Sequence, residues 1–236
     1  MNIDVKSFLK DERNSVIREK LVNYHFFYEV KLSGARIGND IQISFPEIDK
    51  EGYDIVLDDG RNIKVFQIKT RLQDSKTIYW NIQKQLLRPK YEHLKLFDFE
   101  EIGQNIGFEG GVILIEIATN KETITSHTYY YCDIYILKAI EHELIPVKSR
   151  NNYKAVLKVI HSLKSDGHFN RHEKVFVPKC AFVKVNNVDS LLSLANLLSI
   201  REDFRYWRGG FEICLKENDI KFNGSNANAI KYLLAE

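Results

Sequence analysis

Residues 111–118 read GVILIEIA, apolar at every position except Glu116. An unbroken apolar run of this length suits a strand covered on both faces, and such a strand needs helices on both sides of its sheet. The flanking sequence provides them. Residues 15–32 predict a helix: Val16, Leu21, Tyr24 and Tyr28 recur near helical spacing, Asn14 or Ser15 can cap it, and Gly34 and Gly38 close it. Residues 41–45 (IQISF) alternate as a strand that Pro46 ends, and YDIVL at 53–57 is a second strand. Asp58, Asp59 and Gly60 supply a turn into a third strand, NIKVFQIKT at 62–70. A helix is expected over 79–97, interrupted near Pro89, and another strand over 129–137.

Beyond Pro146 the pattern loosens. Helices are predicted over 152–163 and 188–200, an edge strand or two short strand pieces around Pro178 over 174–185, a hairpin over 211–222 and a short helix over 227–234. The expected fold class is therefore α/β, a mixed central sheet flanked by helices, with an α+β extension. Residues 1–146 form the core and 147–236 an extension for recognition or dimerisation, or a continuation of the same domain. The 236 residues suffice for that.

Net charge is only +2, which neither announces a nucleic-acid partner nor excludes one, since carboxylates around a metal offset a basic groove elsewhere. Cys132, Cys180 and Cys214 are far apart, so a zinc site or disulfide framework is not expected and the thiols read as buried. The first residues lack the apolar core of a secretory signal and no apolar stretch is long enough to span a bilayer, so a cytoplasmic protein without membrane attachment is expected. The phosphate-loop, dinucleotide, serine-hydrolase and zinc-protease motifs are absent, so no nucleotide cofactor is expected.

The chemistry concentrates in residues 47–71, EIDKEGYDIVLDDGRNIKVFQIKTR. Asp54 opens one strand; Gln67 and Lys69 sit on its hairpin partner. Residues two apart on a strand share a face, so Gln67 and Lys69 project together while Phe66 and Ile68 face the core. A carboxylate can hold Mg²⁺ through oxygen, the metal polarises a phosphate and acidifies bound water, and a nearby lysine can orient that water and stabilise developing charge.

A Gly-hydrophobic-Asp (Gly52, Tyr53, Asp54), a short hairpin and then Gln67-x-Lys69 resemble the PD-(D/E)xK nuclease superfamily. The glutamine form is similar to Mrr-type restriction endonucleases, although Asp49 and Gly52 stand one residue further apart than in that group. The resemblance covers about residues 12–140, and it implies a restriction-endonuclease-like fold. It also implies that Asp54 is the main metal ligand, that Gln67 and the Ile68 carbonyl complete the set, and that Lys69 is the catalytic lysine. Glu19, on the first helix, takes the place of the family's helix glutamate, with Glu29 as runner-up. Tyr53 replaces the motif proline. Gln67 replaces a carboxylate and lowers metal affinity unless Glu19, Glu47 or Glu51 compensates.

The implied activity is Mg²⁺- or Mn²⁺-dependent cleavage of double-stranded DNA in restriction or defence. The implied assembly is a homodimer, because a two-fold pair matches the duplex. A nuclease fold that binds nucleic acid or a protein without cutting, and a nuclease that cleaves RNA, are the alternatives. Nucleic-acid contacts are expected from Arg71, from Lys84 and Arg88 on the helix after the lysine strand, and from Arg201, Arg205, Trp207 and Arg208, where arginines alternate with rings. Gln83 is placed where it could reach the site. A polar loop at 165–174 carries His168, Asn170 and His172, read as an exposed basic loop.

Overall fold

The computed structural model describes residues 4–47, 52–101, 105–164, 173–198, 207–216 and 234. Helix α1 (Val5–Lys10) precedes α2 (Ser15–Arg36), followed by strands β1 (Gln42–Ser44), β2 (Ile55–Asp58) and β3 (Ile63–Leu72). Next come β4 (Tyr79–Gln83), α3 (Lys84–Leu87), β5 (Gly111–Thr119), β6 (Ile124–Asp133), α4 (Ile134–Glu141) and α5 (Arg150–Leu163). Strands β7 (Lys174–Pro178) and β8 (Val183–Lys184), helix α6 (Val188–Leu194) and a last helix, α7 (Trp207–Lys216), complete the described elements.

Six strands form one mixed sheet in the order β1-β2-β3-β5-β6-β8, and β4 pairs with β7 in a separate two-stranded ribbon. β5 lies parallel to β3, and every other neighbour pair in the large sheet is antiparallel. The apolar run is a central strand: Val112 through Ile115, and Ile117, are each 0% exposed. Alternation sorts the side chains. Val65, Gln67, Lys69 and Arg71 of β3 share one face with Val112, Leu114 and Glu116 of β5 and Tyr130 of β6. Phe66, Ile68, Ile113, Ile115, Tyr129 and Tyr131 occupy the other.

Helix α2 covers this second face. Its inward stripe is Val22, Phe26 and Val30, with Ser33 and Gly34 at the end, and Phe26 meets Tyr129 at a ring distance of 5.9 Å. Full burial of each large side chain in the stripe contributes about 1.5–3 kcal/mol. The sequence-based stripe is a different one: Val16, Leu21, Tyr24 and Tyr28 are all exposed. The helix also runs through Gly34, which is packed against the Asn39 carbonyl, and ends before Gly38, whose φ is +67°.

The β2–β3 hairpin is secured at its turn. Asp58 accepts from the Gly60 amide, and Asp59, 2% exposed, accepts from the amides of Arg61, Asn62 and Leu198. That last bond ties the hairpin to the chain beyond α6. Other long-range links tie the second half to the first: β8 extends the large sheet, β7 pairs with β4, and Ser33 donates to Asp189. Strands β7 and β8, helix α6 and Leu198 are thus tied to the elements that precede them.

Several expected elements differ. Residues 79–97 form β4, the single turn α3 and a 3-10 turn, because Glu173 and β7 offer the backbone of residues 79–84 a ladder partner. The strand expected to 137 stops at Asp133, which caps α4 by accepting from the Ile136 amide at 2.9 Å. The expected hairpin begins instead as helix α7, and residues 217–222 and 227–233 lie outside the described residues. None of the three cysteines is in a disulfide; Cys132 is buried, but Cys180 and Cys214 are only half-buried. No helix among the described residues is long and apolar enough to cross a membrane.

Candidate active site

Ile55 stands opposite Phe66 at the first rung of the β2–β3 ladder, and Asp54 precedes it, beside the Phe66–Ile68 stretch of β3. The Asp54 amide donates to the Phe66 carbonyl at 2.7 Å, and its carboxylate accepts from the Ile68 amide at 2.6 Å. The side chain thereby continues the ladder where β2 has not yet begun, and it is fixed against β3 between Gln67 and Lys69. Amide and carbonyl of one strand residue point to the same side, so the Ile68 carbonyl also faces Asp54.

Gln67 and Lys69 are half-buried on the first face, beside Val112 and Leu114 of β5. The Gln67 Oε1 is buried and has no hydrogen-bond partner. An orphaned amide oxygen of this kind costs on the order of 1–3 kcal/mol unless something else meets it. Gln83, at the end of β4, is a second case: its Oε1 is also buried and unpartnered. It stands over Gly52, where a Cβ would come within 2.1 Å of the Gln83 side chain, and Gly52 itself has φ +74°. Only glycine fits that turn, two residues before Asp54. Tyr53 packs edge-on against Phe108 and completes this wall.

The Asp54 carboxylate, the Gln67 amide oxygen and the Ile68 carbonyl are hard oxygen donors of the kind Mg²⁺ takes, and the orphaned Gln67 oxygen is in want of a positive partner. These residues fit the ion. The charge is sparse, however: among the described residues no three His, Cys, Asp or Glu side chains gather closely enough to hold a metal. A one-carboxylate site leaves most of the Mg²⁺ shell to water and to substrate phosphate oxygens.

Glu19 is not brought to this cluster by any contact. It lies on the inward side of α2, one turn before Val22, but is exposed, and α2 packs on the face opposite Gln67 and Lys69. Glu29, half-buried on the same helix, instead acts on Tyr129, whose phenol is pushed above its ordinary range by burial first and by Glu29 second. Glu47 is exposed, and Asp49 and Glu51 lie outside the described residues.

The expected phosphate contacts need correction. Arg71, Lys84, Arg88 and Arg208 are each at most 8% exposed, and Trp207 is 1% exposed. Arg71 donates to the carbonyls of Thr77 and Ser75 and pairs with Glu116 at 3.0 Å, so it organises the loop after β3. Lys84 pairs with Glu173, and Arg88 donates to the Leu163 carbonyl at 2.8 Å. Trp207 stacks with Phe211 and meets Tyr135, while Arg208 pairs with Asp133 and donates to the Leu194 carbonyl. Their charges and ring faces are committed to the interior. Arg201, Arg205, His168, Asn170 and His172 lie outside the described residues.

The sequence reading missed the buried centre around Asp133. This carboxylate is 0% exposed and accepts from Lys64 at 3.0 Å, Tyr131 at 2.7 Å and Arg208. Its residues are 69 and 75 positions apart in the chain, which is why no local pattern reveals them. A cavity of about 740 Å³ is also elsewhere; it lies between Tyr130, Ile140, Pro178 and Phe182 and has none of the three motif residues in its wall.

No protein-family model matches the chain, and no curated protein matches it.

Proposed function

We propose that this chain is a divalent-metal-dependent nuclease with a restriction-endonuclease-like core, cutting phosphodiester bonds in double-stranded DNA in a restriction or defence setting. The observation that carries the reading is the arrangement across β2 and β3. Asp54 is hydrogen-bonded onto the Ile68 amide, while Gln67, with a buried oxygen lacking a partner, and Lys69 share the adjoining face. In this reading Asp54, Gln67 and the Ile68 carbonyl hold Mg²⁺ or Mn²⁺, which supplies phosphate polarisation and a more acidic water. Asp54 keeps its orientation through the Ile68 amide, so ligand geometry is set before substrate arrives. Lys69 contributes an ammonium to a phosphate oxygen or the attacking water. A homodimer would present two such sites to the two strands.

A second reading is favoured by there being one carboxylate, Asp54, at the site among the described residues: a nuclease-like chain that binds nucleic acid or a protein without cutting. Plasmid cleavage with Mg²⁺ or Mn²⁺, beside Lys69→Ala and an EDTA control, decides between them. Metal-dependent nicking that the substitution removes supports the nuclease. Binding without cutting of duplex DNA, methylated DNA, single strands and structured RNA refutes it, and cutting confined to RNA corrects the substrate.

A further inference from the structure

Helix α2 is apolar on two sides. One side packs on the sheet through Val22, Phe26 and Val30. On the other, Ile17, Leu21, Tyr24 and Tyr28 follow one another at intervals of four, three and four residues, the spacing of a helix–helix seam. These four are 46%, 47%, 66% and 61% exposed, and Val16 beside them is 60% exposed. Five of the twelve large hydrophobics exposed among the described residues thus lie on one helix. The patch continues onto Phe45, 61% exposed, whose ring meets Phe27 edge-on at 5.5 Å. A solvated helix has no need of a second apolar stripe, and isolated exposed hydrophobics do not line up in this way.

We propose that this stripe is a two-fold interface, in which α2 packs antiparallel against α2 of a second copy of the chain. The inference is independent of the nuclease reading. Its first support is self-matching: an antiparallel two-fold pairing centred between residues 22 and 23 sets Ile17 against Tyr28 of the second copy and Leu21 against Tyr24. Each aliphatic side chain meets a ring, and no member of the stripe is left over. The same pairing sets Lys20 level with His25 of the second copy, Arg18 level with Phe27 and Glu19 level with Phe26, so no lysine or arginine stands opposite another and no two glutamates do.

The second support is area. With aromatic side chains of about 150–250 Å² each, the exposed parts of these six residues amount to roughly 600 Å². A standard stable interface takes about 800 Å² from each partner, which the flanking polar residues of α2 complete. Antiparallel packing also opposes the two helix dipoles.

The test is sedimentation or light scattering on the full chain over roughly 1–100 µM, with wild type beside Leu21→Glu and Tyr24→Glu. Both substituted positions are exposed in the single chain, so melting temperature and circular dichroism at low concentration should stay near wild type. The expected result is a dimer that either substitution weakens at least a hundredfold. A double substitution, Leu21→Cys with Tyr24→Cys, should form a covalent dimer under mild oxidation, and it tests the pairing even if a glutamate variant folds poorly. A monomeric wild type at 100 µM overturns the proposal and leaves the face to a different partner. A dimer that survives both glutamates without cross-linking overturns it too, by placing the interface elsewhere.

Discussion

Replacing Asp133 by Asn should be among the most destabilising single changes in the chain. The carboxylate is 0% exposed and lies beside two buried cations, Lys64 at 3.0 Å and Arg208. Asn keeps the shape but has one oxygen: set to cap α4 at the Ile136 amide, it turns its NH2 toward Tyr131, Lys64 and Arg208, so the substitution removes the charge together with the bonds accepted by the second oxygen. Stranding a buried charge by removing its partner costs about 3–5 kcal/mol. At about 2–4 °C per kcal/mol for a chain of this size, the melting temperature should fall by roughly 6–20 °C. The pH dependence sharpens the test. Burial first, then the Arg208 charge, push the Lys64 ammonium down to about 8, against the pull of Asp133. The unfolded chain keeps that proton until its ordinary lysine range, so between the two values the unfolded state holds more protons and stability rises with pH. Without Asp133 the window opens lower, and the variant should recover stability between pH 7 and 9 more than wild type does. The comparison stops at pH 9 because the Tyr131 phenol and Cys132 thiol, both pushed up mainly by burial, act oppositely above it. Adding Lys64→Met to the Asn variant should restore at least about 1 kcal/mol. Thermal and urea melts of the four proteins decide the matter. A cost for Asp133→Asn below about 1 kcal/mol, or strict additivity with Lys64→Met, would show that the network is not electrostatically coupled.

Gln67→Glu adds a second carboxylate beside Asp54 and should tighten Mn²⁺ binding by roughly tenfold, on the order of 1.4 kcal/mol, read as a larger Mn²⁺-induced rise in melting temperature; unchanged or weaker binding counts against a metal at this face. Gly52→Ala meets both an unfavourable φ of +74° and the Gln83 side chain. It should cost about 1–2 kcal/mol for the backbone alone, and pairing it with Gln83→Ala should return only the steric part. His127 stacks on His25 at 3.7 Å, and burial first, then His25, lower its pKa to about 4. The unfolded state takes up this proton from pH 6.5 downward and the folded state only near 4, so stability falls across that window, by about 1–2 kcal/mol after solvent screening. Acid melts of His127→Gln should be flatter there than those of wild type.

What could be read from the sequence followed from local periodicity. The apolar run at 111–118 is the centre of the sheet, and the Asp58–Gly60 turn joins two strands that do pair, since both depend on neighbours in the chain. Helix α2 exposed the limit of this reasoning. Its two apolar stripes both satisfy helical spacing, and only the tertiary structure decides that Phe26, not Tyr24, meets Tyr129. Residues 79–83 became a strand because β7, about a hundred residues later, pairs with them. At the candidate site, two-residue alternation was enough to put Gln67 beside Lys69. It could not place Glu19, because the direction of a helix across a sheet depends on packing that a stripe of letters does not specify. Arg71, Arg88 and Arg208 lie inside for a related reason: a guanidinium in a sequence looks the same whether it meets a phosphate or, as Arg71 does, two carbonyls and a glutamate.

That interior use of basic residues bears on how a nucleic acid would be held. Each phosphate neutralised by a protein cation contributes about −0.9 to the slope of log affinity against log salt on duplex DNA. With Arg71, Lys84, Arg88 and Arg208 engaged inside the molecule, the cations left for the backbone among the described residues are Lys69 and scattered surface lysines and arginines such as Arg36 and Arg61. A shallow slope, no steeper than about −3 per chain, is therefore expected for the protein on a short duplex, measured by fluorescence anisotropy in Ca²⁺ to prevent cutting. Lys69→Ala should reduce the slope by about one phosphate equivalent. A slope near −6 would contradict this, and repeating the titration with Arg201→Ala and Arg205→Ala would then show whether the segment between α6 and α7 supplies the missing contacts.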